Sequence, residues 1–99
     1  MELKINFHHL ESTDAIKSRI QEKSEHLKKF FAGNFKLEWT CEVQGSEQRS
    51  HAHLTGKQMD LNASATDSDL YKTFDMVISK LEKQLARQKD QVKDHIHQH

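Results

Sequence analysis

Residues 69–95 read DLYKTFDMVISKLEKQLARQKDQVKDH, a run without Gly or Pro that governs how the rest of the chain can be arranged. Leu70, Phe74, Val77, Ile78, Leu81, Leu85 and Val92 recur at helical spacing. At about 100° per residue they gather into one apolar stripe, and such a stripe has to face a core. Lys72, Lys80, Lys83 and Arg87 fall together on the far side of the same wheel, with Asp75 and Glu82 between that group and the stripe. Lys89 and Lys93 form a second basic cluster in the last turns, where cations also suit the negative end of the helix dipole. A charged helix face is most often simply solvated. A face with its cations sorted from most of its acids can also receive an anion.

Upstream, the period changes. Leu3, Ile5 and Phe7 alternate with Glu2, Lys4 and Asn6, which predicts a half-buried strand. Ser12 or Thr13 then caps a helix that carries Asp14 in its first turn and Ile16, Ile20, Leu27 and Phe31 on its buried side. This helix is expected to end near Gly33-Asn34, and its surface bears Lys17, Arg19, Lys23, Lys28 and Lys29 against Glu22 and Glu25. Leu37, Trp39, Cys41 and Val43 alternate with polar neighbours, as do Ala52 and Leu54 with His51 and His53. Met59, Leu61, Ala63 and Ala65 alternate once more, and turns are expected at Gln44–Glu47 and Gly56-Lys57. The predicted fold is α+β, in the order β-α-β-β-β-α, a four-stranded sheet with both helices packed on one face so that every stripe is buried. The two outer helix surfaces would then lie side by side.

Ninety-nine residues suit one domain with a modest core, expected over 1–95, with a short His-rich tail at 96–99. Charged residues make up 30% of the chain and hydrophobic ones 34%, and with clear periodic segments that balance favours a folded domain over disorder. Lys plus Arg equals Asp plus Glu at 15 each, so attraction for an anionic partner has to come from local sorting. The opening MELKINFHH has no signal-peptide pattern and no segment has the roughly twenty apolar residues of a membrane span, so a soluble, cytoplasmic protein is expected. The single Cys41 reads as a buried, reduced thiol.

The joint register of Asn62-Ala-Ser-Ala65, Asp69-Leu-Tyr71, Asp75, Ile78, Lys80-Leu81, Lys83-Gln84-Leu85, Arg87, Lys89 and Lys93 resembles the ribosome hibernation-promoting factors. These are also described as ribosome-associated inhibitor or sigma-54 modulation proteins. Thr13-Asp-Ala15, Lys17, Lys23, Leu27 and Phe31 resemble that family's first helix, so the likeness covers nearly the whole chain. It implies a domain that binds the small ribosomal subunit where messenger and transfer RNA would otherwise lie, a monomer off the ribosome that represses translation in resting cells. It also implies that Lys80, Lys83, Arg87, Lys89 and Lys93, with Lys17 and Lys23 of the first helix, face ribosomal RNA. His26 and Gln91 stand where relatives often carry a basic residue. The likeness is to the short form, which is associated with ribosome dimers through a separate modulation factor; a relative with a longer tail favours inactive single ribosomes.

Other uses of the residues are weaker. Tyr71, Phe74 and Trp39 read as core or cap-edge side chains rather than base-stacking ones. His51, His53, His95, His97 and His99 invite a metal, yet a structural zinc site ordinarily wants thiolate ligands and Cys41 stands alone, so neither metal nor cofactor is assigned. No Gly-rich phosphate loop, nucleophile elbow or paired carboxylates point to catalysis, and no enzyme is expected. A protein-interaction module using the helix faces fits the periodicity as well as RNA binding does. Salt separates the two, because phosphate contacts release counterions.

Overall fold

Four alternating segments become the four strands of one sheet, and the computed structural model describes residues 1–31 and 33–97, with side chains of the last helix described through Gln88. The order is β1 (Glu2–His8), α1 (Asp14–Ser24), a 3-10 segment (Glu25–Phe30), β2 (Lys36–Gln44), β3 (Glu47–Gly56), β4 (Met59–Asp67) and α2 (Leu70–His97). In space the strands also lie β1-β2-β3-β4, with β1 parallel to β2 and the later pairs antiparallel. The register sets Leu37, Leu54 and Leu61 in one row and Trp39, Ala52 and Ala63 in the next. One face of the sheet is therefore apolar, and both helices bury their stripes on it in a single cluster.

Trp39 and Phe74 are fully buried and meet edge to face, ring centroids 5.8 Å apart, locking the sheet centre to α2. Ala63 and Ala65 are 6% exposed and let α2 lie close over β4. Ser50 of β3 and Thr73 of α2 are buried polar residues whose hydroxyls lie 2.6 Å apart. Thr73 donates to the Leu70 carbonyl, which leaves Ser50 as the donor between the two hydroxyls. Both helix starts are capped. Thr13 Oγ1 accepts from the Ile16 amide at 3.1 Å, and Asp69 Oδ1 accepts from the Tyr71 amide at 3.0 Å.

The first helix departs from its expected length. It stops being α-helical at Ser24, and a 3-10 segment carries the chain on to Phe30. The buried Ser24 hydroxyl donates to the Ile20 carbonyl at 2.7 Å, the back-bonding that competes with the helix ladder and bends it. Leu27 still reaches the core, fully buried, from the tighter segment. The turn expected at Gly56-Lys57 falls one residue later: Gly56 pairs with Met59, and Gln58 takes the left-handed conformation at φ 59°. Gln98 and His99, in the expected tail, lie outside the described residues.

Candidate nucleic-acid interface

The side chains that join the helices show how they lie. Arg19 of α1 meets Tyr71 of α2, Lys23 meets Asp75, and Lys29 of the 3-10 segment meets Glu82. Numbers rise together on both sides, so the two helices run in the same direction across a shared groove. Lys23 Nζ is 2.8 Å from Asp75 Oδ1, and Lys29 Nζ is 3.1 Å from Glu82 Oε2. The acids read from the sequence as flanking the basic face are thus the groove wall of α2, each bound to a lysine from the other helix.

A different strip of α2 faces solvent. Lys72, Lys83 and Arg87 are exposed. By helical geometry they fall within an arc of about 60° and span about 22 Å along the axis. Among the described residues, none of the three is in an ion pair with a carboxylate. Met76, 39% exposed, lies within the same strip. Among the described residues no carboxylate pairs with the charge of this ridge, and its length suits several successive phosphates.

Lys80 is exposed on the flank toward β4, where its Nζ donates to the Ser64 carbonyl at 2.6 Å. Gln84, one turn on, donates from Nε2 to the Asn62 carbonyl at 3.0 Å. These two residues cover edge carbonyls of the outermost strand, a use that alternation and periodicity did not reveal, although their spacing of four was visible. Lys23 lies in the groove, its side chain 28% exposed. Lys17 is elsewhere, on the side of α1 that overhangs Leu3 and Ile5 of β1. The structure therefore gathers Lys23, Lys80, Lys83 and Arg87 around α2 and leaves Lys17 apart. The side chains of Lys89 and Lys93 lie outside the described residues.

Phe74 is core, and Tyr71, 37% exposed beside the Asp69 cap, takes the cap-edge place. Trp39 and Cys41 are fully buried, and burial pushes the Cys41 thiol up to about 11, against smaller opposing effects of Ser50 and Trp39. A thiol so placed is a packing group. On the open face of the sheet His53 Nε2 lies 2.6 Å from Asp60 Oδ1. Among the described residues no group of three or more His, Cys, Asp and Glu is placed to hold a metal ion. Among them, too, no helix is long and apolar enough to cross a membrane.

Similar proteins carry the same fold. The Thermus thermophilus Protein Y N-terminal domain superposes with a TM-score of 0.82 at 24% identity, covering 88% of this chain and 98% of that one. A ribosomal subunit interface protein from Coxiella burnetii superposes with a TM-score of 0.81 at 19% identity, covering 91% and 99%. The ribosome hibernation promoting factor of Klebsiella oxytoca is 32% identical over 95 residues, which is 96% of this chain and all of that protein. The ribosome hibernation promotion factor of Rhizobium meliloti is 30% identical over 99 residues, but this chain spans 51% of its length. Residues 3–93 match the family model described as sigma 54 modulation protein / S30EA ribosomal protein, a family of ribosome-binding proteins rather than enzymes, and the chain belongs to that family.

Proposed function

We propose that the protein is a ribosome hibernation factor that binds the small ribosomal subunit in the messenger and transfer RNA channel and represses translation in resting cells. The observation that carries this reading is the outer ridge of α2, where Lys72, Lys83 and Arg87 stand exposed without a described carboxylate partner on a molecule whose formal net charge is zero. Phosphates neutralised by such a ridge release condensed counterions, so binding needs no base code and weakens with salt. Arg87 offers a planar fork of donors to one phosphate, and the lysines act as mobile point charges. Membership of the family, and relatives named as hibernation factors, supply the ribosome as the polyanion.

In this reading Lys80, Lys83, Arg87, Lys89 and Lys93 meet ribosomal RNA from α2, Lys23 from the groove and Lys17 from the flank of α1. The mechanism is occlusion. A folded body fills a channel that messenger and transfer RNA also need, no bond is made or broken, and occupancy requires an empty ribosome. The protein works in the cytoplasm, is a monomer off the ribosome, and promotes ribosome dimers together with a separate modulation factor.

Sucrose-gradient fractionation of a stationary-phase lysate tests this directly. The chain is expected with small subunits and with ribosome dimers, and to leave both when Lys80, Lys83 and Arg87 are changed together to Ala. Recovery with inactive single ribosomes alone would reassign it to the inhibitor type. Recovery only in ribosome-free fractions would sink the reading.

A further inference from the structure

The rung at the N-terminal end of the interhelical groove differs from the two below it. Lys23–Asp75 and Lys29–Glu82 are ion pairs, whereas Arg19 faces an aromatic ring, its Cζ 5.5 Å from the Tyr71 centroid. Of the three rungs this is the one whose cation meets no carboxylate among the described residues. The ring is also held in place. It meets Phe74 edge to face at 5.5 Å and 67°, Phe74 is fully buried, and the Tyr71 amide is bound by Asp69. Yet Tyr71 keeps 37% of its surface exposed, and Arg19 is exposed beside it. A fixed aromatic surface under a guanidinium, next to exposed Lys72, combines what stacks on a base with what attracts its phosphate. A bare anion would need only the cation.

We infer that Arg19 and Tyr71 form a landing site for one unpaired nucleobase of an RNA strand lying along the outer ridge of α2, an inference that rests on the ribosomal-RNA reading above. Stacking and charge then separate cleanly. The stacking contribution does not release counterions, so it is independent of salt, while each phosphate contact adds to the salt slope.

The test uses three ligands: purified small ribosomal subunits, a single-stranded oligoribonucleotide of about ten bases, and inorganic polyphosphate of matching charge. Tyr71→Leu keeps an apolar side chain against Phe74 without an aromatic face, and Tyr71→Phe restores the face. Tyr71→Leu is expected to weaken both RNA ligands by about tenfold with an unchanged salt slope, to leave polyphosphate binding unaltered, and to be rescued by Tyr71→Phe. Arg19→Ala is expected to lower the slope by about 1. Because Tyr71 is the sole tyrosine, its ring proton resonances report directly, and they should move upfield on adding the oligoribonucleotide. If Tyr71→Leu binds all three ligands like the wild type while Lys83→Ala/Arg87→Ala loses the subunits, the base site is overturned and the ribosome reading stands. If the wild type does not bind the subunits, both fall.

Discussion

Two strips of α2, about a quarter turn apart, put similar charged residues to different use. On the groove strip Asp75 and Glu82 bind Lys23 and Lys29, and the charge is consumed in holding one helix to the other. On the outer strip Lys72, Lys83 and Arg87 are exposed and, among the described residues, meet no carboxylate. A balanced molecule can therefore present a cationic ridge beside the groove, because Asp75 and Glu82 are held by Lys23 and Lys29. A count of charges cannot tell these strips apart. Which element packs against which face of the helix does.

The largest effect should come from reversing the outer strip. Lys83→Glu with Arg87→Glu removes two charge-assisted contacts, each worth about tenfold or more in affinity, and adds repulsion. Binding to small subunits should fall by more than about 100-fold, measured by cosedimentation, with the melting temperature nearly unchanged.

Asp75→Asn acts on the other strip and should work in the opposite direction. It frees the Lys23 ammonium, so affinity for small subunits should rise by a few-fold while urea denaturation shows a loss of at most about 1 kcal/mol, the range of exposed ion pairs. Weaker binding in this variant would mean that the groove pair is part of the contact surface as it stands.

Lys80→Met addresses the residue on the far side of the outer strip, toward β4. Removing its bond to the Ser64 carbonyl leaves an exposed acceptor to water, so stability should change by no more than about 1 kcal/mol in urea melts. Binding should weaken less than in Lys83→Ala.

An effect on stability alone, with binding unchanged, lies beneath both strips and leaves the surface untouched. The Cys41 thiol is raised from 9.0 to about 11, so the folded state holds its proton where the unfolded state has lost it. The stability this gives is present below about pH 9 and disappears as pH rises through about 11, and Cys41→Ala should flatten that part of the pH-stability curve.

Much of this architecture was legible in the residues. Alternation gave the four strands and their buried side, and the spacing of Phe74, Val77 and Leu81 gave the core face of α2, because burial enforces a period. The break at Ser24 was not legible, since a serine inside a helical pattern reads as neutral until its hydroxyl is seen to take the Ile20 carbonyl. The basic set was legible as a group but not in its divisions. Lys23 and Lys83 look alike in sequence, and only the placement of α1 against Asp75 gives the first a partner. Tyr71 reads as a core or cap-edge residue from its place in the first turns, and the structure puts it at the cap edge. Its exposure follows from its place at the first turn, on the rim where Arg19 comes across.

The most direct test of the outer ridge is the salt dependence of binding to purified small subunits. The wild-type log–log slope is expected near about −4, corresponding to about five phosphates. The Lys83→Ala/Arg87→Ala variant should bind with a slope shallower by about 2 at an unchanged melting temperature. An identical slope in the two proteins would contradict the account, because the ridge would then carry none of the contact with RNA.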